Sequence, residues 1–184
     1  MYNDFLGGNM AKKLNKSIGL FSALLSLVFG VVTFACMFLD AVTKKVGDNT
    51  TAYKGMEVAF GKTLSSGSAL GFSGESSIQF SFLLVLAFLL PLILAIVYFL
   101  LAKKKPFILS IVCAAGFVVS AVLLFMTPAL ASIKVTMSGL GSTATEVNTF
   151  KELEFSLGLG AIFGGVSSIL GALSSLAYLL KKVL

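Results

Sequence analysis

FSFLLVLAFLLPLILAIVYFLLA-KKKP-FILSIVCAAGFVVSAVLLFMTPAL, residues 80–130, decides the fold. Two long apolar runs, 80–102 and 107–130, are parted by three lysines and a proline, and neither holds a charge. Two more such runs lie at 18–39 and 157–180. The first of the four, residues 18 to 39, has 22 residues. As a helix it is about 33 Å long, enough to cross a bilayer core of about 30 Å. The sequence therefore predicts an all-α integral membrane protein: an antiparallel four-helix transmembrane bundle. Pro106 suits the first position of a helix, where its missing N–H costs nothing. With Lys103, Lys104 and Lys105 it folds spans two and three into a hairpin.

The rest divides around these spans. A cytoplasmic tail, 1–17, leads into span one (18–39). An outer loop, 40–79, precedes span two (80–102). A cytoplasmic turn, 103–106, leads to span three (107–130). A second outer loop, 131–156, precedes span four (157–180), and 181–184 form a cytoplasmic tail. Lys12, Lys13 and Lys16, Lys103–Lys105, and Lys181 and Lys182 all fall on one side of such a bundle. The excess of lysine makes that side the cytoplasm. Lys44 and Lys45 oppose this assignment but are offset by Asp40 and Asp48. Retention of residues 18–39 as a span is expected over cleavage as a signal peptide, because its apolar region exceeds the usual 7–15 residues.

Composition agrees: 57% of residues are hydrophobic, 12% charged, and the mean hydropathy is +1.00. Soluble domains carry roughly 25% charge. Spans and loops leave no room for a separate soluble domain. The net charge of +6 comes from lysines at span ends, where topology and anionic lipid explain them, so no nucleic-acid partner is implied. All 14 basic residues are lysine, a bias that suggests an AT-rich bacterial genome and hence a bacterial cytoplasmic membrane. Arginine forks, favoured in phosphate and carboxylate sites, are missing.

Both outer loops show strand-like alternation, so a small extracellular β element is expected on the bundle. In loop two, Ile133, Val135 and Met137 alternate with polar residues, Ser138–Ser142 reads as a turn, and 147–155 as a returning strand. In loop one, Met56, Val58 and Phe60 alternate with Glu57 and Ala59, while 65–74 is Gly/Ser-rich and expected to be irregular. The segments 53–61 and 150–158 share a pattern: aromatic, Lys, any residue, aliphatic, Glu, apolar, small, apolar, Gly. Duplication of a two-span unit and coincidence among short amphipathic strands are both open readings.

Chemistry is scarce. There is no His, and no nucleotide-binding, zinc or kinase pattern. Cys36 and Cys113 lie at depths about 18 Å apart, too far for a disulfide, and read as small packing residues. Glu152 and Glu154 would share one face of a strand, which is more often solvated than catalytic. The expectation is no enzyme, no catalytic residue, no cofactor and no metal. No ionisable group inside a span supports ion coupling. The hydroxyls Ser22, Ser26, Thr33, Ser120 and Thr127 are expected to bond mostly to their own helices. Pro91, in mid-span two, frees the carbonyl of Ala87 and is a candidate hinge. Tyr98 and Tyr178 precede lysine clusters and read as interfacial anchors. Gly160, Gly164, Ser168, Gly171 and Ser175 place small residues on one stripe of span four, the packing that draws helices together in lipid. Asn49-Thr50-Thr51 fits a glycosylation sequon, relevant only in a eukaryote.

Four spans, both ends inside and a longer first outer loop with strand character resemble the tetraspan plan of claudin-type proteins. The likeness is architectural: the chain has no Trp, and loop one lacks the cysteine pair of that family's signature. Two functions follow as expectations. The first is a structural or accessory subunit that acts by protein contact through the small-residue face of span four and the outer loops. Its partners would be membrane lipid and either another membrane protein or itself as a homo-oligomer. The alternative is a homo-oligomeric channel or facilitator without intramembrane charges.

Overall fold

The computed structural model describes residues 2–69, 72–102, 106–139 and 142–183, with side chains for 18–68, 73–102, 107–139 and 142–177. Four of its helices are long and apolar enough to cross a membrane: Ile18–Phe38, Phe82–Leu101, Phe107–Phe125 and Leu159–Ala177. They belong to α1 (Tyr2–Ala35, continued by a 3-10 turn, Cys36–Phe38), α3 (Phe82–Leu101), α4 (Pro106–Phe125) and α6 (Leu159–Val183). Each packs on two neighbours in the cyclic order α1–α3–α4–α6. Large apolar side chains such as Phe21, Ile108, Val118 and Leu173 point outward and are exposed, as lipid-facing residues must be.

The expected all-α class with a small β element is corrected. The chain is 59% helix and 29% strand, and the strands build two sizeable antiparallel sheets. The first sheet has the order β2-β1-β7, from β1 (Asp40–Val46), β2 (Asn49–Lys54) and β7 (Ser156–Leu157). The second has the order β3-β4-β5-β6, from β3 (Lys62–Ala69), β4 (Phe72–Ile78), β5 (Ser132–Gly139) and β6 (Ser142–Thr149). Each sheet draws strands from both loops. β4 runs almost directly into α3, and β5 follows α4 after the short helix α5 (Thr127–Leu130). The α3–α4 hairpin thus continues beyond the bundle as the β4–β5 ladder, from Ile78 opposite Ile133 to Phe72 opposite Gly139.

Two local readings change as well. Residues 65–69 and 72–74, the described part of the stretch 65–74, are not irregular. They form most of a hairpin in which Ser66 faces Glu75 and Gly67 faces Gly74. Nor do Met56, Val58 and Phe60 alternate along a strand, because Gly55–Phe60 is a helix, α2. Val58 and Ala59, adjacent in sequence, are both buried while Met56 and Phe60 are exposed, so burial does not follow the period of two that the alternation implied. Glu57 accepts a bond from the Lys54 N–H at 3.1 Å near the helix start. Gly61, at φ +84°, ends the helix and donates its N–H to the Glu57 carbonyl. Gly55 is required by closeness: a Cβ there would lie 2.8 Å from the Phe88 ring and 2.9 Å from the Met37 carbonyl oxygen. In loop two the hairpin forms, but its return strand is Ser142–Thr149, earlier than the expected 147–155.

The core has two parts. One lies between the sheets and the adjoining helix ends, where Val42, Val58, Ile78, Leu84, Phe88, Leu124, Ile133 and Phe150 pack together. The other lies deeper in the bundle around Ala95, Tyr98, Cys113, Phe117 and Ala172.

Candidate functional site

The small-residue stripe of α6 faces inward, and all five of its members are buried. A Cβ on Gly160 would sit 2.7 Å from the Cys36 carbonyl oxygen and 2.9 Å from that of Leu39. One on Gly171 would strike the ring of Phe117, and one on Gly164 would reach Leu124 at 3.2 Å and Cys36 at 3.4 Å. The stripe therefore lets α1 and α4 of the same chain approach α6 closely.

Hydroxyls tie the four helices together at two levels. At the first, Thr33 on α1 lies 3.3 Å from Ser168 Oγ on α6, and Ser168 lies 3.3 Å from Ser120 Oγ on α4. Ser120 in turn donates to the Ala87 carbonyl on α3. That carbonyl is the acceptor that Pro91, buried in mid-helix, cannot serve. At the second level, Ser22 on α1 donates to the Ser174 carbonyl on α6 at 2.6 Å and lies 3.2 Å from the Tyr98 hydroxyl on α3. Ser26 meets Ser175 Oγ at 2.9 Å, and Ser110 on α4 donates to the Ser175 carbonyl. Ser26, Ser174 and Ser175 also reach back to carbonyls four residues earlier, as expected of hydroxyls in spans. The cross-helix bonds are what the sequence did not show. Among the described residues, no buried side-chain polar atom lacks a partner.

Tyr98, read from the sequence as an interfacial anchor, is 1% exposed and its ring is held inside the bundle. The side chain of Tyr178, and those of the lysine clusters at 12–16, 103–105 and 181–182, lie outside the described residues. Cys36 and Cys113 are both buried free thiols.

Beyond the bundle, the two loops meet in a cluster of rings. Phe150 packs edge-on against Phe155 with centroids 5.0 Å apart, and Tyr53 lies 5.6 Å from Phe150. Lys44 crosses the same junction: it donates to the Leu153 carbonyl at 2.7 Å and lies 3.6 Å from Glu154. Tyr53 and Phe150, the aromatic positions of the shared loop pattern, are therefore neighbours. The segments after them differ, one forming α2 and the other a turn followed by β7.

Two of the loop carboxylates, Glu57 and Glu152, brace local backbone. Lys62 donates to Glu57 at 2.6 Å, and this bond, with help from the Lys54 N–H, holds the Glu57 carboxyl below the ordinary range against some desolvation. Glu152 lies in a turn, not on a strand face with Glu154. It accepts from the Thr149 N–H at 2.7 Å, which lowers its pKa as well. Among the described residues no three His, Cys, Asp or Glu side chains gather as metal ligands would.

Two parts beyond the bundle are accessible, the end of the β1–β2 hairpin, where 45–52 are exposed, and the four-stranded sheet, which is the larger. The sheet's far half is exposed on both faces: Ser66, Ser68, Ser73, Glu75, Met137 and Ser142 through Thr145 are all open, and nearer the bundle the edge residues Ser65, Glu146 and Val147 are open too. Gly67, Gly74, Met137, Gly139 and Ala144 line a shallow open groove of about 690 Å³ on one face. Comparison of the chain with protein-family models, curated proteins and solved structures finds no match.

Proposed function

We propose that this chain is a structural or accessory membrane subunit that works by contact, and that its contact surface is the four-stranded sheet outside the membrane. The observation that carries this reading is the exposure of that sheet's far half on both faces, with Met137 64% exposed on one and Ser66, Glu75 and Thr145 open on the other. Small antiparallel sheets usually gain stability by packing one face on a core. A sheet bare on both sides suits a partner that supplies the missing contact. Sequence alone suggested the small-residue face of α6 for this purpose, but that face is occupied within the chain, and the burden moves to the loops. Lysine at the opposite ends of the spans supports a sheet outside the cell and both termini in the cytoplasm. The channel alternative gains nothing from Pro91, whose freed carbonyl is bonded, or from hydroxyls engaged between helices.

The test is extraction from native membranes in mild detergent, with the particle sized and its proteins identified by mass spectrometry. The reading expects a particle larger than one chain, which shrinks when Met137 and Val147 are both replaced by Asp. A wild-type particle of a single chain with no companion overturns it.

A further inference from the structure

Strand direction makes the two edges of the four-stranded sheet complementary. Ile78 and Ile133 are buried against the bundle, and Met137 is exposed at the far end. β3 therefore runs away from the membrane, β4 returns, β5 leaves and β6 returns. Four alternating strands end in edges of opposite direction. Copies in one membrane share an orientation, so β6 of one copy and β3 of the next meet antiparallel. Two β6 edges brought together across an axis normal to the membrane would meet parallel, the weaker arrangement.

Width agrees with direction. Four strands at about 4.8 Å spacing cover about 19 Å. Two packed helices side by side, at about 10 Å each, cover about 20 Å. One bundle thus fits beneath each set of four strands, and a sheet running from copy to copy stays in step with the bundles.

The edges also differ in chemistry. Exposed edge strands are ordinarily blunted by bulges, lysine or proline. β6 has none of these and pairs with β5 over all eight residues without a register shift. β3 carries Lys62 and a bulge between Thr63 and Ser65, but beyond it the pairing is regular. Ser65, Ser76, Val135 and Glu146 lie on one rung of the sheet, and Gly67, Gly74, Met137 and Ala144 on another. Continued at the same level, Glu146 faces Ser65 of the next copy and sits diagonally from its Lys62 on the same face. Diagonal neighbours are within reach of long side chains. Glu146 is the sole acid of β6 and Lys62 the sole base of β3. Both are now in exposed contacts, Glu146 with Asn148 and Lys62 with Glu57.

We propose that this chain assembles with further copies of itself, head to tail, by pairing residues 143–146 of β6 with residues 65–68 of β3 in the next copy. The proposal rests on the contact reading above and names the partner. Such a heterologous interface forms a ring where the rotation closes.

Cysteine crosslinking of the full chain in native membranes tests it. Ser66→Cys and Thr145→Cys stand level across the proposed ladder. Carried together on one chain they give oxidant-dependent dimers and higher multimers, and neither alone does. Adding Glu146→Lys places like charge near Lys62 and lowers the crosslinked fraction about threefold. Crosslinking by Thr145→Cys alone, or no crosslinking by the pair, overturns head-to-tail pairing. A particle that still holds a different protein then leaves the contact reading standing, whereas a lone monomer removes both.

Discussion

Ser120 on α4 donates its hydroxyl hydrogen to the carbonyl of Ala87 on α3, the acceptor that Pro91 deprives of its intrahelical N–H. A kink residue on one helix and a hydroxyl on its neighbour thus form one device. It also explains how a proline sits buried in mid-span without leaving an unpaired polar atom in the bundle.

This pairing predicts coupling. Ser120→Ala leaves the Ala87 carbonyl without its donor and also removes the link to Ser168. Interhelical hydrogen bonds in membranes are worth about 0.6 kcal/mol on average, and an orphaned buried acceptor costs about 1–3 kcal/mol. The expected loss is therefore about 1–2 kcal/mol. Pro91→Ala supplies an N–H for the same carbonyl, so in that background Ser120→Ala should cost less. A double-mutant cycle of unfolding in mixed micelles measures this. Strict additivity would show that the two residues act independently.

The stripe on α6 predicts unequal tolerance. At Gly160 an added methyl meets two backbone oxygens, at 2.7 and 2.9 Å, and backbone cannot swing aside. At Gly164 it meets side chains at 3.2 and 3.4 Å, which yield by a few tenths of an ångström. Gly160→Ala is expected to cost about 1–3 kcal/mol, in the range of overpacked cores, and Gly164→Ala well under 1. Gly164→Leu should fail like Gly160→Ala. Thermal unfolding in detergent ranks the three; equal tolerance at 160 and 164 would contradict the close approach of α6 to Cys36–Leu39.

How far the sequence reveals this molecule depends on what each element is made of. Length and freedom from charge mark the four spans without reference to neighbours. The end of span three was less visible: α4 stops at Phe125, and Pro128 starts the separate turn α5, where Thr127 bonds back to the Leu124 carbonyl. The strands of the Ser/Gly-rich hairpin carry no alternation to read. Backbone pairing holds them: β3 on β4, and β4 on β5, a partner about 60 residues away. Met56, Val58 and Phe60 mislead because a helix of six residues is too short to display its period. The carbonyl freed by Pro91 was legible. Its donor was not, since a serine in a span gives the same signal whether it bonds to its own helix or to the next one.

Acid should loosen the region around α2. The Glu57 carboxyl lies below its ordinary value of 4.5, chiefly through the bond from Lys62. A lowered folded pKa means the ionised form is favoured by folding. The stabilisation is full above the unfolded value and fades as pH falls through the folded one. Glu152, lowered by the Thr149 N–H, acts in the same direction. Amide protection over residues 55–61, taken relative to the intrinsic exchange rate at each pH, is expected to fall below about pH 4.5 in the wild type. Glu57→Gln should exchange faster at neutral pH and respond less to acid. A flat profile in the wild type would mean that the bond to Lys62 does not hold α2.

The orientation makes a prediction that no packing argument supplies. Ser68 and Thr143 are exposed at the far end of the four-stranded sheet, and both strands run toward or from its tip. The native thiols, Cys36 and Cys113, are buried. A cysteine at 68 or 143 is therefore the thiol that a membrane-impermeant maleimide meets first. If lysine at the other ends of the spans sets the topology, both variants label in intact cells, and a tag fused after residue 184 reacts with its antibody only after permeabilisation. Lys44 and Lys45 stand on the sheet side, but Lys44 is bound to the Leu153 carbonyl and Glu154, which leaves Lys45 as the exposed charge of the two. Neutralising them should leave the labelling unchanged. Labelling of residue 143 only after permeabilisation would reverse the assignment and turn the sheet, with whatever it binds, toward the cytoplasm.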